Sequence, residues 1–501
     1  MKKVRDDLYR RILLNRLRLN DSLYRYEKVF TETSSWPGDF PGRAILALVS
    51  LYDAFDGYST VKDDILSQLK EIFCHIDEYL NKDNYFGIPF NNEFVDEQQV
   101  AGNSWYLRGL IGYYRITKEE KYLDQIKSIV KNFLNPISSF YSHYPTIQRD
   151  FGGVGGHITE ELYDGWRLSS DIGCAFIMMD GMSEAYSLIK DEELKDNLAH
   201  IIEKFLTIDF VNLECQTHAT VSCARGIYRF YQETKEQKYL DYAISIFDEY
   251  LNKGTTYDYS NINWFNRPTT WTEPCCIVDS IILAKKLYLE TKEKKYLDIF
   301  NKIYVNTIRT FQRDNGGAGC STCAIDDSYS MKMFMYEAFF CCTMRLGEGL
   351  KEICDFSLIR EDNILIVPYV GSLHFIDNDF NIIIDNLIYK NGKIVIKVNK
   401  TLENGKLMMY LPKGKLLSDE YILNNEGFIE INLDDNKSQT IEFEIELYQE
   451  NGFTYLGDML LSRKEEEVEG EITYNNIKYS PLYDNSLYSE KELETKIQYL
   501  K

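Results

Sequence analysis

The 501-residue chain has no hydrophobic run long enough to cross a membrane, and its first residues lack the apolar stretch of a secretory signal. Basic charge is also scarce, because 56 Lys and Arg stand against 78 Asp and Glu, for a net charge of −22. Binding to nucleic acid or to an anionic membrane depends on basic patches. The sequence therefore predicts a soluble, cytoplasmic protein that binds neither nucleic acid nor membranes.

A disulfide framework is not expected either. The chain has 11 cysteines, an odd number, and in a large protein without an export signal they fit a reducing compartment and metal chemistry better than disulfides. The 38 tyrosines and five tryptophans suit a neutral carbohydrate, whose apolar ring faces stack on aromatic side chains. We therefore expect a small oligosaccharide or glycoside as the binding partner, and formation of a homo-oligomer stays open.

A charged motif recurs in the first two thirds of the chain. It reads Tyr114-Arg-Ile-Thr-Lys-Glu-Glu-Lys-Tyr-Leu-Asp124, returns at 231–241 and 288–298, and has a degenerate copy from Tyr186. Each copy ends one apolar helix, turns through charged residues and starts another helix. Such hairpins must pack against neighbours, and a closed ring leaves no exposed ends. We predict an (α/α)6 barrel over residues 1–354, with an open helical solenoid as the alternative.

The repeat turns predict one rim of this barrel. Long loops are expected at the opposite rim, at 152–161, 257–271 and 313–329, where a pocket would form.

After Cys354 the hydrophobic pattern changes to period two. Segments 393–398, 428–433 and 440–447 alternate apolar and polar residues, as strands with one buried face do. The pairs Asn391-Gly392 and Asn404-Gly405 are typical of hairpin turns. We predict a β-sandwich over residues 355–450. Residues 451–501 are expected to form an extension that packs back on the body or is partly disordered. The fold class is thus mainly α, with a C-terminal β domain.

Two separated segments contain residue types that bind metal. Trp271-Thr-Glu-Pro-Cys-Cys276 supplies Glu273 and Cys275, and a later segment supplies the adjacent Cys341 and Cys342. Zinc takes four sulfur, imidazole or carboxylate ligands in a tetrahedron, so these four side chains could form one site.

The local pattern favours this pairing. Pro274 suits the first turn of a helix, so Glu273 and Cys275 flank a helix start, where the helix dipole stabilises a thiolate. Adjacent side chains on a regular helix point about 100° apart. Cys341 and Cys342 can therefore bind one ion only at an irregular turn or a helix end.

The residues alone leave three interpretations open. Free cysteines are among the most buried residue types, so the clustered thiols could fill the core; they could also bind a structural zinc or form a catalytic metal–thiolate site. Cys320 and Cys323, in Cys-Ser-Thr-Cys, also have metal-ligand or redox spacing and are rival ligands.

Taken together, these features resemble glycoside hydrolase family 127, the β-L-arabinofuranosidase-type enzymes. Helical repeats, Glu273-Pro-Cys275, the pair Cys341-Cys342 and a trailing β-sandwich occur in the family's order. The segment that begins His218-Ala-Thr-Val-Ser-Cys is similar to the family's His-Ala-Asn-Thr segment, which contributes a histidine to the sugar site. The similarity covers most of residues 40–450.

The resemblance implies a retaining, exo-acting glycoside hydrolase for β-L-arabinofuranoside-like sugars of short oligosaccharides. It implies Zn²⁺ as cofactor and Cys341 as the nucleophile of a double displacement. The implied zinc ligands are Glu273, Cys275, Cys341 and Cys342.

The sequence departs from the family pattern at the general acid. The family's glutamate, in a Gly-Glu context upstream of Glu-x-Cys, is absent, and Asp258 is our substitute, with Glu160, Glu161 and Asp164 as competitors. The Pro-Pro-Asn that usually follows the cysteine pair is also replaced, here by Thr343-Met-Arg345.

Candidate substrate-binding residues are of two types. Histidines can donate hydrogen bonds to sugar hydroxyls, and tryptophans can stack on sugar rings. The candidates are His218, His157, Trp105, Trp166 and Trp271. Two other functions are weighed: a metal-independent (α/α)-barrel sugar epimerase or unsaturated uronyl hydrolase, and a non-catalytic carbohydrate-binding protein with a structural zinc.

Overall fold

The computed structural model describes residues 2–3, 7–31, 36–149, 155–323, 325, 329–464, 472–474, 476–482 and 489–501. Helices dominate the first 356 residues, as the sequence predicts. They are α1 Asp7–Arg18, α2 Tyr26–Val29, α3 Asp39–Ala54, α4 Ser59–His75, α5 Glu97–Thr117, α6 Glu120–Ile129, α7 Asn135–Ile137, α8 Met178–Ile189, α9 Glu192–Leu206, α10 Thr217–Thr234, α11 Gln237–Lys253, α12 Pro274–Thr291, α13 Lys294–Ile303, α14 Arg309–Phe311 and α15 Cys342–Phe356, followed in the C-terminal region by α16 Ile388–Asn391.

The C-terminal region is rich in strands, which the change to period two predicts. The strands of the described chain are β1 Lys2–Lys3, β2 Val95–Asp96, β3 Ile158–Tyr163, β4 Trp166–Ser169, β5 Cys320–Ser321, β6 Ser330–Met335, β7 Ile359–Glu361, β8 Ile364–Val367, β9 Leu373–Ile376, β10 Asn381–Leu387, β11 Lys393–Lys400, β12 Lys406–Tyr410, β13 Gly414–Leu416, β14 Phe428–Asn432, β15 Lys437–Ile445, β16 Leu447–Glu450, β17 Phe453–Leu456, β18 Met459–Lys464, β19 Ile472–Tyr474, β20 Ile477–Pro481 and β21 Lys496–Tyr499.

Six helices contact one another in a closed cycle. Helix α3 packs on α5, α5 on α8, α8 on α10, α10 on α12, α12 on α15, and α15 returns to α3. A further helix packs against each of them: α4 on α3, α6 on α5, α9 on α8, α11 on α10, α13 on α12 and α1 on α15. Most residues of α3, α5 and α12 are buried, as is expected of helices covered on all sides.

The helices of this cycle approach closely at glycines. A Cβ added to Gly42 of α3 would lie 2.3 Å from the backbone nitrogen of Tyr106 in α5. A Cβ added to Gly226 of α10 would lie 2.6 Å from the backbone nitrogen of Asp180 in α8. The backbones therefore touch where a larger residue would hold them apart.

The charged repeats form the turns of helical hairpins. Each turn ends its first helix with a lysine in the left-handed region, a common way to terminate a helix. The four lysines and their φ angles are Lys118 at 58°, Lys190 at 51°, Lys235 at 59° and Lys292 at 58°. In three of the turns the last helical threonine accepts a hydrogen bond from the N–H two residues on, as Thr117 does from Glu119 at 3.4 Å.

Two sheets form after the last long helix. One has the strand order β1-β9-β10-β11-β15-β13 and the other β14-β12-β8-β7. Gly392, with φ of 70°, follows the turn between the paired strands β10 and β11, as predicted. The hairpin predicted at Asn404-Gly405 is wrong, because β11 already pairs with β10 and β15 on its two edges. Strand β12 therefore enters the other sheet.

The C-terminal strands pair with strands of the helical region. A third sheet has the order β16-β17-β18-β21-β6-β5, and Ile497 of β21 pairs with Met331 of β6. The boundaries predicted at 354/355 and 450/451 stay predictions. Residues 152–154, 324 and 326–328 of the predicted long loops, and 465–471, 475 and 483–488 of the predicted extension, lie outside the described residues. Among those described, no helix combines the length and hydropathy that a membrane crossing needs.

Candidate active site

Two helices of the cycle begin next to each other. Glu273 immediately precedes α12, whose first residue is Pro274, and Cys341 immediately precedes α15, whose first residue is Cys342. Cys341 has φ of −148° and ψ of −66°, which is not helical. Because of this irregular helix end, the adjacent side chains of Cys341 and Cys342 can point to one place.

These helix starts bring one carboxylate and three thiols together. The ligand atoms of Glu273, Cys275, Cys341 and Cys342 all lie within 4.8 Å of one another. The Sγ atom of Cys342 is 3.5 Å from that of Cys275 and 3.3 Å from that of Cys341. Zinc–sulfur bonds of about 2.3 Å in a tetrahedron place sulfurs roughly 3.8 Å apart. The cluster therefore fits a four-coordinate cation of the kind that thiolates prefer.

Burial makes the thiol pair Cys275 and Cys342 poor acids on their own. It raises the pKa of both well above that of a free cysteine, because a thiolate loses its hydration there. Positive charge nearby offsets this effect in part. The Arg43 Nη1 atom lies 3.6 Å from Cys275 Sγ, while its Nε donates to both carboxylate oxygens of Asp39 at 2.8 and 2.9 Å. A bound cation would stabilise the thiolates much further.

The carboxylate of Glu273 is oriented by two side chains from α10 and its N-cap. Gln216 Nε2 donates to Glu273 Oε2 at 3.2 Å, and His218 Nδ1 lies 3.1 Å from Glu273 Oε1. The other ring nitrogen of His218 lies 3.3 Å from Asp279 Oδ2. Burial lowers the pKa of His218, but the two carboxylates raise it more, so its net shift is upward. The imidazole is thus held between a candidate ligand and a buried carboxylate, a common arrangement around metal sites.

The cluster lies on the wall of a cavity of about 450 Å³, a size typical of small-molecule sites. Glu273, Cys341 and Cys342 line it, and Cys341 is the one cluster residue that is not fully buried. The remaining lining residues are Trp36, Asp39, Arg43, Gly155, Gly156, Asp171, Ile177, Gln216, His218, Asn263, Trp271, Cys320, Phe334, Met335, Ala338 and Phe340.

The predicted stacking residues differ in position. Trp271 lines the cavity and stacks on Phe334, with ring centroids 5.1 Å apart and planes 2° apart. Trp105 is fully buried behind His218, with Arg43 and Arg345 guanidinium groups 4.3 and 4.5 Å from its ring. Trp166 is buried against Tyr141 and Tyr144 and does not line the cavity. Of these three predicted tryptophans, only Trp271 can therefore contact a ligand there without rearrangement.

The predicted acids lie away from the cavity wall. Asp258 is buried, and its carboxylate accepts from Thr256 Oγ1 at 2.5 Å and Ser260 Oγ at 3.0 Å. The competitors Glu160, Glu161 and Asp164 are exposed, as is His157. None of these five residues lines the cavity.

The rival ligands do not join the cluster. Cys320 lines the cavity without belonging to the group of four, and Cys323 donates to the backbone oxygen of Asn261 at 3.6 Å.

Several cavity residues were missed by the sequence reasoning. Asp39 and Arg43 are spaced as an i,i+4 ion pair, a signal that could have been read from the sequence. Asp171 and Gln216 carry no local pattern, because their approach to the cluster depends on how distant segments pack.

Comparison with known proteins assigns the family. Residues 67–357 match the family described as beta-L-arabinofuranosidase, GH127 catalytic domain. No curated protein matches the chain in sequence.

Solved structures share the fold at low sequence identity. A GH127 β-arabinofuranosidase superposes with a TM-score of 0.63 at 12% identity, covering 93% of this chain and 84% of that one. A GH127 β-L-arabinofuranosidase from Geobacillus stearothermophilus T6 gives a TM-score of 0.58 at 10% identity, covering 93% and 86%. A structure described as a glycoside hydrolase gives 0.59 at 12% identity, covering 87% and 80%. Since the family match spans more than half of the sequence, the chain belongs to glycoside hydrolase family 127 and is a glycosidase of this β-L-arabinofuranosidase-like family.

Proposed function

We propose that the protein is a retaining, exo-acting glycoside hydrolase that acts on β-L-arabinofuranoside-like ends of short oligosaccharides. We further propose that Glu273, Cys275, Cys341 and Cys342 hold one Zn²⁺. The observation that carries this proposal is the convergence of one carboxylate and three thiols at a single cavity. When bound, the zinc keeps the buried thiols in the thiolate form.

The fold that carries this site is interpreted as an (α/α)6 barrel followed by a β-sandwich. The closed cycle of helices and the six helices packed against it support the barrel, and the two sheets after Phe356 support the sandwich. A cytoplasmic location and a homo-oligomer stay predictions.

Cys341 is the proposed nucleophile because, of the two cluster thiols that line the cavity, it is the more exposed. Its sulfur bonds to the anomeric carbon as the bond to the glycosidic oxygen breaks, and a general acid protonates the departing oxygen. Water then attacks the same carbon, gives a proton to the conjugate base and releases the sulfur. Two inversions return the original anomeric configuration, with cysteine in the place that a carboxylate usually takes.

Other side chains of the cavity bind and orient the sugar in this proposal. His218 presents an imidazole at the wall between Glu273 and Asp279, where it orients Glu273, and its contact with a sugar hydroxyl stays a prediction. Trp271 offers an aromatic surface beside the cluster. Asp258, which the sequence predicts as the general acid, does not line the cavity, and its role stays a prediction.

The proposal is tested by metal analysis combined with turnover of nitrophenyl furanosides and pyranosides. We expect one zinc per chain and hydrolysis of an L-arabinofuranoside. We expect Cys341→Ser to lose activity while it still folds, and Cys276→Ser to keep activity, because Cys276 is buried beside the cluster but does not belong to it. A fully active Cys341→Ser variant would contradict the mechanism. Bound zinc without turnover of any glycoside would support the carbohydrate-binding alternative.

A further inference from the structure

The proposed double displacement needs a group that protonates the leaving oxygen, and the cavity offers few. Among the described residues that line it, three carry carboxylates: Asp39, Asp171 and Glu273. Glu273 belongs to the metal cluster. Burial raises the pKa of Asp39 too, but both of its oxygens already accept from Arg43 Nε. Asp171 is the remaining candidate.

One carboxylate oxygen of Asp171 accepts a backbone hydrogen bond, and the other has no hydrogen-bond partner among the described residues. It follows β4, and Gly156 N–H donates to its Oδ2 at 3.0 Å. Its Oδ1 is buried and has no hydrogen-bond partner among the described residues, and the side chain is 5% exposed. A buried carboxyl oxygen without a partner is costly to keep, so such groups in a cavity are frequently functional.

The burial of Asp171 favours its protonated form. Its pKa is raised to about 7, chiefly by burial, and Glu273 and Glu97 act in the same direction. The Gly156 hydrogen bond and His218 act in the opposite direction. A carboxyl group whose pKa is raised by burial can both give and take a proton during turnover.

We propose that Asp171 is the general acid/base of this enzyme, in the role that the family's absent glutamate leaves open. The inference rests on the proposed function. In the first step the Asp171 carboxylic acid gives its proton to the glycosidic oxygen as the Cys341 sulfur bonds to the anomeric carbon, and the aglycone leaves as an alcohol. In the second step the carboxylate takes a proton from the attacking water, the carbon–sulfur bond breaks, and both residues return to their starting forms.

The test compares leaving groups in Asp171→Asn. An alkyl leaving group needs protonation and a nitrophenolate does not, so we expect kcat/KM to fall about 100-fold to 10,000-fold on alkyl glycosides and much less on nitrophenyl glycosides. Deglycosylation of the enzyme should become slow with both substrate classes. A burst of nitrophenol is therefore expected with the nitrophenyl glycosides. Azide, which needs no general base, should restore turnover and give a glycosyl azide with retained configuration.

A pH profile provides a second signature. Because the acid must be protonated, wild-type kcat/KM on alkyl glycosides should fall as pH rises through the pKa of Asp171, and this limb should be absent in Asp171→Asn. If the asparagine variant does not fold, Asp171→Glu and Asp171→Ser take its place. Because Asp171→Glu keeps a carboxyl group, its kcat/KM on alkyl glycosides, relative to nitrophenyl glycosides, should be higher than that of Asp171→Ser.

Asp458→Asn is the matched control. Asp458 is also fully buried with its pKa raised to about 7 by burial and by Asp298, but it does not line the cavity. Its substitution should leave the leaving-group dependence unchanged.

The outcomes separate the two proposals. If Asp171→Asn shows wild-type leaving-group dependence while zinc content and Cys341 reactivity are intact, the inference is wrong and the proposed function stands. If Asp258→Asn shows the expected signature in its place, the role belongs to Asp258. If the wild-type protein hydrolyses no glycoside, both proposals fail.

Discussion

At the scale of single residues, the site depends on which cluster thiol a small molecule can reach. Cys275 and Cys342 are buried, whereas Cys341 is partly exposed on the cavity wall. Residue type and helix-start signals made all four side chains candidates, but only the family resemblance favoured them over Cys320 and Cys323. The partners that orient them could not, because the contact of His218 with Glu273 joins residues that only the packing of α10 against α12 brings together.

Exposure predicts an order of alkylation after metal removal. In chelator-treated protein, iodoacetamide should label Cys341 before Cys275 and Cys342, because Cys341 is partly exposed and the other two are buried. Cys74, which is exposed, is the internal reference and should react equally with and without chelator. Peptide mass spectrometry of a time course measures the order, and earlier labelling of Cys275 would contradict the geometry.

At the scale of elements, the cycle of helices depends on glycine at the crossing of α3 and α5. A methyl group at Gly42 would press on the backbone of Tyr106, which cannot move aside as a side chain can. We expect Gly42→Ala to lower the free energy of unfolding by about 2 kcal/mol or more. Gly347→Ala in α15 is the control, since its Cβ would meet side-chain and carbonyl atoms of Asn15 and Ala47 at 3.2 Å or more. Its expected effect is within about 1 kcal/mol of zero, because alanine also favours the helix. If urea unfolding shows that both variants lose the same free energy of unfolding, the result would argue against the close contact at Gly42.

The helices and strands also show which turns can be predicted from local sequence patterns. The repeat turns were predictable because a left-handed lysine such as Lys118 and a capping threonine such as Thr117 are local features. The turn signal at Asn404-Gly405 misled, since a two-residue pattern contains no information on whether the preceding strand already has partners on both edges.

At the scale of the whole molecule, Asp458 lies where the helical and strand-rich regions meet. Its backbone oxygen accepts from Asn306 Nδ2 at 2.9 Å, its N–H donates to the Tyr389 hydroxyl at 3.2 Å, and the Tyr410 hydroxyl lies 3.4 Å from Oδ2. No sequence pattern indicates this residue, because an isolated aspartate in a turn is usually solvated.

Burial raises the pKa of Asp458 to about 7, from 3.8 in the unfolded chain, so the folded state binds its proton more tightly. Stability should therefore fall as pH rises from about 4 to 7 and then stay level, since the unfolded state loses the proton first. Asp458→Asn removes this contribution. Its melting temperature relative to wild type should increase across that window, as measured by thermal unfolding at several pH values. A difference independent of pH would show that Asp458 is ionised in the folded protein.

The central claim is that Cys341 forms a covalent bond to the sugar, and peptide mass spectrometry of enzyme quenched during turnover tests it most directly. With an activated L-arabinofuranoside and the slowly deglycosylating Asp171→Asn variant, we predict a pentosyl adduct on the peptide that contains Cys341. An adduct on an aspartate or glutamate, or a product of inverted configuration with no adduct, would contradict the account.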